Sequence, residues 1–236
     1  MLAGIYDAFQ KWGNQTVWIY SDPHFGDKDL AEGVKNRPSD EEQIKMINSC
    51  VGRKDTLIIL GDVGDIEAVR KLRGYKVLIM GNHDAGASNY KREIVTKVFS
   101  PALYSTKEQV YAKMNELYPN WSITILPGLA GWVASADNKL FDEVYEGALI
   151  VGEKLIFSHE PIEIPWVFNI HGHDHLGKKR KNHLNVCSDV IDYKPVNLNQ
   201  FLKSGAMSNV QTIHRATIDR ATERKKKRGG KKIGSK

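Results

Sequence analysis

The stretch KVLIMGNHD, residues 76–84, decides the fold of this chain. Its first five residues, Lys76 to Met80, form a short and largely aliphatic run of the kind that becomes a buried strand. Four residues that are small or polar, Gly81 to Asp84, follow at once. A buried strand that ends in this way brings an amide, an imidazole and a carboxylate to one edge of a sheet.

Four further apolar runs end in the same way. Because ligands in α/β sheets bind beyond the carboxyl ends of the strands, we expect the polar groups at all five ends to meet in one crevice. The other four runs and the residues that follow them are Thr16 to Tyr20 with Asp22 and His24, Leu57 to Leu60 with Asp62, Leu155 to Phe157 with His159, and Val167 to Ile170 with His173 and His175.

The side chains at these ends suit divalent transition metals. Carboxylate, amide oxygen and neutral imidazole together favour manganese, iron, nickel or zinc over calcium, which prefers oxygen ligands alone. Asp22 and His24 are two residues apart, so they share a face of an extended segment, and His173 and His175 repeat that spacing. Two such pairs could hold one ion or two adjacent ions from opposite sides, with a carboxylate between them as a bridge.

The order of the five polar blocks resembles the pattern of the calcineurin-like metallophosphoesterase superfamily. That pattern is Asp-x-His, Gly-Asp, Gly-Asn-His-Asp or Glu, a lone His, and Gly-His-x-His, and all five blocks occur here in that order. A series of five ordered motifs, spanning roughly residues 15 to 200, is far more specific than any one short motif. Near the end, residues 185–189 and 192–196 also look like the tail of small phosphoesterases of bacteria and phages.

The resemblance implies a role for each polar residue at the strand ends. The cofactors would be two divalent metal ions, manganese first and iron, nickel or zinc as alternatives. His83 would contact the scissile phosphate and protonate the leaving oxygen, and Asp84 would orient His83. The implied metal ligands are Asp22, His24 and His175 for the first ion, Asn82, His159 and His173 for the second, and Asp62 as the bridge.

The function implied is hydrolysis of a phosphate ester. Two divalent ions about 3.5 to 4 Å apart polarise phosphoryl oxygens and lower the pKa of a bridging water, whose hydroxide would attack phosphorus in line. We expect a phosphodiester or a phosphomonoester, the diester being favoured, and a substrate that is small or nucleotide-like. A nuclease acting on DNA or RNA is one alternative, and a non-catalytic binding module is another.

The resemblance also implies an α/β fold with four layers, α/β/β/α. The alternation of strand and helix is compatible with it but does not by itself exclude an open doubly wound sheet. We predict one metallophosphoesterase domain over residues 1–214, with an inserted helical element at about 85–140 near the active site. Capping boxes are predicted at Ser39 to Glu42 and at Ser105 to Glu108. Asp65 is either a second metal carboxylate or a residue at the start of a helix.

Basic residues stand where an anionic substrate could meet them. A basic run follows His175 directly and could draw an anion toward the site, and the insert adds two more cations. The candidates for substrate binding are Lys91, Arg92, Lys178, Lys179 and Arg180.

The C-terminal residues 215–236 form a basic tail. They contain ten lysines and arginines against two acidic residues, in a chain whose formal net charge is +6. Such a tail buries little apolar surface, which predicts disorder. Its cations could contact nucleic acid nonspecifically by releasing counterions, and a solubilising tail without a partner is the alternative.

Composition predicts a cytoplasmic protein that does not enter a membrane. No apolar run reaches the 18 or so residues that a membrane span needs, and Met1 to Trp12 lacks both a basic start and a long apolar stretch. The two cysteines, Cys50 and Cys187, are too few for a disulfide framework, so we expect reduced thiols in the core.

Overall fold

The computed structural model describes residues 16–84, 90, 92–151, 154–208, 210 and 213–230. They fall into two compact units, Met1–Ala85 with Tyr145–Lys236 and, between these segments, Gly86–Val144. In chain order the elements are β1 (Val17–Tyr20), α1 (Lys28–Gly33), α2 (Asp40–Cys50), β2 (Thr56–Ile59), α3 (Ile66–Arg70), β3 (Tyr75–Ile79), β4 (Ile94–Phe99), α4 (Lys107–Leu117), β5 (Ser122–Gly128), β6 (Gly131–Asp137), β7 (Glu143–Tyr145), β8 (Leu149–Val151), β9 (Leu155–Phe157), β10 (Phe168–His171), β11 (His183–Asn185), β12 (Val196–Asn197), α5 (Leu198–Lys203) and α6 (Ile213–Gly230).

The first unit is built on two β-sheets. One has the strand order β12-β1-β2-β3-β7 and the other the order β11-β10-β9-β8. Strands β1, β2 and β3 run parallel to one another, as do β9, β10 and β11. Parallel strands place their carboxyl ends at the same edge, so the loops with Asp22, Asp62 and Asn82 leave one sheet together. The loops with His159 and His173 leave the other sheet in the same manner.

Side chains from both sheets share one hydrophobic core. Ile19, Ile58 and Val77 from the first sheet and Phe157 and Ile170 from the second are fully buried in the same cluster. All five apolar runs predicted as strands are strands here, because each buries its aliphatic side chains in this core. The predicted α/β class is therefore confirmed, and the order of the layers stays a prediction.

The helix starts in the first unit follow from their capping residues. Ser39 Oγ accepts a hydrogen bond from Glu42 N, and the Glu42 carboxylate accepts one from Ser39 N, which confirms the predicted capping box. Asp65 accepts from Glu67 N at 3.0 Å and is the N-cap of α3. Of its two predicted roles, the helix start is the one that the structure contains.

The second unit is a three-stranded antiparallel sheet, β4-β6-β5, packed against α4. We predicted a helical element, but strands make up most of this unit because alternating apolar and polar residues in β4 and β6 bury one face. The capping box of α4 also lies one residue later than predicted, at Thr106 and Gln109. Gln109 Oε1 accepts from the backbone N of Ser105 at 2.8 Å and of Thr106 at 3.3 Å, a pairing that Glu108 does not make in its place.

The basic tail differs from its prediction, because Ile213–Gly230 form the helix α6 instead of a disordered segment. Lysine, arginine, glutamate and alanine are good helix formers, so a segment with little apolar surface can still be helical. The Arg220 guanidinium also lies 3.9 Å from the centre of the Trp166 ring, a cation–π contact that ties the helix to the first unit. Residues 231–236 lie outside the described part of the chain.

Among the helices described, none combines the length and the apolar character that crossing a membrane requires.

Candidate metal centre

The predicted metal ligands lie on tight loops with unusual backbone conformations. Asp22, His24, Asp62 and His173 have φ values of 55°, 44°, 51° and 64°, in the left-handed region. Non-glycine residues enter this region at a cost of about 1–3 kcal/mol each and do so mainly at functional sites. Hydrogen bonds between loops hold the strain, since Asp22 N donates to Gly61 O and His24 N donates to Asp62 O.

Gly172 lets the fifth polar block approach the first. A Cβ atom on Gly172 would overlap both the Ser21 side chain and the Asp22 carboxylate. In the space left free, His173 N donates a hydrogen bond of 2.9 Å to Asp22 Oδ2. This glycine therefore joins two loops that are 151 residues apart in the sequence.

Asp62 lies at the centre of the candidate site. Its Oδ2 atom is 3.3 Å from His159 Nε2, 3.6 Å from His24 Nε2 and 3.9 Å from His83 Nε2. Its Oδ1 atom accepts a hydrogen bond of 3.0 Å from the backbone N of His83. One carboxylate oxygen thus faces imidazoles from three different loops.

Ligand atoms gather in three overlapping groups, in each of which all atoms lie within 4.8 Å of one another. Asp62 belongs to two of the groups. Asn82 joins the second, because its Oδ1 is 2.8 Å from His159 Nε2, which is also 3.0 Å from His173 Nδ1. The groups are Asp22, His24 and Asp62; Asp62, His159 and His173; and Asp22, His175 and Cys187.

Two buried atoms in the first group indicate that cations fit this site. Asp22 Oδ1 and His24 Nε2 are buried, and neither has a hydrogen-bond partner among the described residues. They lie 4.0 Å apart, and His24 Nε2 is also close to Asp62. A buried carboxylate oxygen or imidazole nitrogen left unpaired costs stability, and a divalent cation would satisfy both atoms. The donor set of carboxylates, an amide and imidazoles is one that such cations accept.

Burial and charge act in opposite directions on the ionisable groups of the site. Burial lowers the pKa of His159, but the hydrogen bond to Asp62 and the charge of Asp22 raise it further, to about 9. Burial also lowers the pKa of His24, and there it prevails over the two carboxylates. For Asp62, burial raises the pKa, yet hydrogen bonds from His159 and His83 bring it below its ordinary value. Without metal, a proton on His159 therefore balances the Asp62 charge.

We expect metal binding to release this proton. Imidazole binds a metal only in its neutral form, so His159 must lose its proton at any pH below about 9. Addition of metal to the metal-free protein in weak buffer at about pH 8, well above the ordinary histidine pKa of about 6.5, should release about one proton per site. Calorimetry in two buffers of different protonation enthalpy measures the number. Binding without proton release would contradict the assignment of His159 as a ligand.

His83 and Asp84 occupy contrasting environments. The His83 side chain is 67% exposed, whereas the Asp84 carboxylate is buried. Asp84 accepts hydrogen bonds from the backbone N of Asp62 at 2.7 Å, of Val63 at 3.0 Å and of Gly81 at 2.9 Å. These bonds fix the loop after β2 to the loop after β3. The sequence predicts that Asp84 orients His83, and the bonds described here place that influence on the backbone that carries His83.

Sequence analysis missed a group of residues behind His175. His175 Nδ1 lies 2.6 Å from Asp189 Oδ2 and 3.4 Å from Cys187 Sγ. The Arg37 guanidinium donates to both Asp189 oxygens, at 2.8 and 3.0 Å. Both cysteines are free thiols, and burial raises the pKa of the Cys187 thiol. The sequence around Asp189 carried a family resemblance, but no pattern assigned it a partner.

The predicted substrate-binding residues are not brought together by a common contact. Lys91 lies outside the described residues, and Arg92, in the second unit, is paired with Asp137 at 2.6 Å. Arg180 Nη1 donates to Glu163 at 3.1 Å. Lys178 and Lys179 are exposed on the loop that follows the predicted ligand His175, where an anion could reach them. Substrate binding by these residues stays a prediction.

The fold and the site define a mixed α/β protein with a candidate metal centre at the carboxyl ends of its parallel strands. A family model described as calcineurin-like phosphoesterase matches residues 15–204, and the chain belongs to that family. Membership implies a metal-dependent phosphoester hydrolase. A comparison with curated proteins gave no match. Among solved structures, the chain is similar to a protein of unknown function from Aquifex aeolicus, with 18% sequence identity, a TM-score of 0.48, and coverage of 80% of this chain and 99% of that one.

Proposed function

We propose that this protein is a dinuclear metal-dependent phosphodiesterase that acts on a small or nucleotide-like substrate, with manganese as the first candidate metal. The observation that carries the proposal is the position of Asp62, whose Oδ2 lies between His24 and His159 and belongs to two ligand groups. In this assignment the first ion is held by Asp22, His24 and His175, the second by Asn82, His159 and His173, and both by Asp62.

The residues around Asp62 have separate tasks in this reaction. Two bound divalent cations supply charge to polarise phosphoryl oxygens and a nucleophile at neutral pH. His83 is exposed and 3.9 Å from Asp62, so its imidazole can reach a bound phosphate and donate a proton to the departing oxygen. The hydrogen bond from His83 N to Asp62 and the three bonds to Asp84 keep this imidazole in register with the ligands.

The proposal is tested with metal-stripped protein that is re-supplied with manganese, nickel or zinc. Each form is assayed with a phosphomonoester, a phosphodiester and a polynucleotide of matched leaving group. We expect the highest kcat/KM for the small diester with manganese. A protein that binds its metals but hydrolyses none of the substrates would instead support the alternative of a non-catalytic binding module.

A nuclease is the second candidate function, and the helix α6 is the observation that favours it. Arg220 on this helix packs over Trp166, and Arg224, Lys225 and Lys226 are exposed on it. Ordered cations on a rigid helix can neutralise the phosphates of a polynucleotide. In this reading the same metal centre would cleave DNA or RNA that is bound along α6.

Glutamine substitutions separate the two candidates. Replacing Arg224, Lys225 and Lys226 by glutamine keeps a good helix former at each position and removes three charges. For a nuclease we expect weaker polynucleotide binding and a salt dependence that is shallower by roughly 0.9 logarithmic units per lost phosphate contact on duplex DNA. Cleavage of a small chromogenic diester should not change. The matched control replaces the exposed Lys45, Lys54 and Lys71, and an equal loss in both variants would exclude a specific role for α6.

A further inference from the structure

The two ring nitrogens of His175 face different partners. Nε2 points to the candidate metal centre and lies 3.8 Å from Asp22 Oδ1. Nδ1 points away from it and lies 2.6 Å from Asp189 Oδ2. A carboxylate accepts hydrogen bonds and cannot donate them, so the ring must carry its hydrogen on Nδ1. In the neutral ring, Nε2 then holds the free lone pair on the side of the centre.

Asp189 is itself held in place from two sides. Arg37 Nη1 donates to Asp189 Oδ1 at 2.8 Å and to Oδ2 at 3.0 Å, and the Tyr193 hydroxyl donates to Oδ1. The Arg37 side chain is only 2% exposed and that of Asp189 10%. An ion pair buried to this extent contributes little net stability unless hydrogen bonds satisfy it, but it fixes geometry well.

The same guanidinium also reaches the first polar block. Arg37 Nη2 donates a hydrogen bond of 2.7 Å to the carbonyl oxygen of Pro23, the residue between Asp22 and His24. Arg37 therefore contacts the loop that presents two predicted ligands and the carboxylate that orients a third. These three ligands are the ones assigned to the first ion.

We propose that Asp189 and Arg37 are positioning residues for the first metal ion. Asp189 sets the tautomer and the ring orientation of His175, and Arg37 locks Asp189 to the loop of Asp22 and His24. The proposal rests on the metal assignment of the proposed function. It adds two residues to that assignment, neither of which is a ligand or touches the substrate. Carboxylates that receive the second N–H of a ligand histidine typically change metal affinity by about 10–100-fold when they are removed.

The test measures metal affinity and the His175 tautomer in the full chain without any substrate. Manganese binding is measured by competition with a chelator, and the tautomer by ¹⁵N chemical shifts of the histidine rings in the metal-free protein. For Asp189→Ala we expect the affinity of the first ion to fall about 10–100-fold and the second to change little. The His175 ring should also lose its single Nδ1–H form. Unchanged affinity and an unchanged tautomer would overturn the proposal.

Two further variants separate positioning from a purely structural role. Asp189→Asn keeps the size of the side chain, so it is the substitute if Asp189→Ala does not fold, and it should still weaken the first ion about tenfold or more. Arg37→Lys keeps the positive charge but lacks a planar fork that can span Asp189 and Pro23 O. We expect it to weaken the first ion while His175 keeps its Nδ1–H tautomer. First-ion affinities within about twofold of wild type in both variants would overturn the proposal.

Asp55→Ala is the matched control. Asp55 is also a partly buried carboxylate, and it accepts hydrogen bonds from Trp18 Nε1 at 3.2 Å and from Gly52 N at 2.8 Å. It precedes β2, at the opposite end of that strand from Asp62. We expect Asp55→Ala to lower the melting temperature without changing the affinity of the first ion. An equal loss of affinity in this control would mean that general destabilisation explains the Asp189 result, and the proposal would fall.

Metal binding and catalysis are measured separately, so the two proposals can fail separately. A wild-type protein that binds two ions and hydrolyses no phosphoester would overturn the proposed phosphodiesterase activity. The same protein would still support the positioning role if Asp189→Ala weakened only the first ion.

Discussion

The Asp62→Asn variant should lose more than about 10³-fold in turnover and retain at most one metal ion per chain. Replacement of the carboxylate removes charge from both ions at once, and the interaction of a metal with its substrate is worth several kcal/mol, each 1.36 kcal/mol being a factor of ten. The new amide also introduces a steric and chemical conflict. If its Oδ1 keeps the bond from His83 N, its NH₂ group replaces the oxygen that faces His24 and His159.

Asp65→Asn is the control for this variant. Asp65 lies three residues further on and was the sequence's other candidate for a metal carboxylate, but it caps α3 through Glu67 N. Asparagine caps helices about as well as aspartate, so this variant should keep its metals, its turnover and its stability. Elemental analysis of the dialysed proteins and steady-state kinetics give both quantities. Two retained ions and normal turnover in Asp62→Asn would rule out a bridging role.

The His83→Ala variant should keep both ions and slow the reaction by about 10²-fold or more, the usual effect of losing a general acid. The exposed imidazole contributes no atom to the ligand groups among the described residues. Its backbone N, which holds Asp62, is unchanged by the substitution. The loss should therefore appear in kcat, with little change in metal content.

The leaving group provides the control for this second variant. A diester that releases a good leaving group, such as a nitrophenolate, needs no protonation, so His83→Ala should affect its hydrolysis much less than that of an alkyl diester. An equal loss for both substrates would mean that His83 binds the phosphate and does not donate a proton to the leaving group. Loss of a metal ion would instead make His83 a ligand.

Short-range patterns predicted the part of the fold that positions the site. The aliphatic run of β3 and the GNHD block that follows it were enough to identify a strand and a loop with polar groups. Chain order could not decide the role of Asp65, because a helix cap and a metal carboxylate have the same local sequence. Only the placement of the helix start beside Glu67 N separated them.

Long-range pairs could not be predicted in this way. Arg37 and Asp189 are 152 residues apart and lie in segments without a periodic pattern, so nothing local links them. The helix α6 was missed for another reason. Its composition argues against a buried core, and the prediction of disorder did not consider that good helix formers and one aromatic contact from Trp166 can order such a segment. In the second unit, the strand content was masked by the clear amphipathic pattern of α4.

The distribution of the predicted ligands along the chain has a consequence for synthesis in the cell. Asp22, His24, Asp62 and Asn82 precede the second unit, and His159, His173 and His175 follow it. A nascent chain that has left the ribosome only as far as Val144 carries the carboxylates and the amide but lacks three of the four ligand imidazoles. Stable capture of transition metals must wait for the last third of translation, so the growing polypeptide cannot trap ions in a half-built cage.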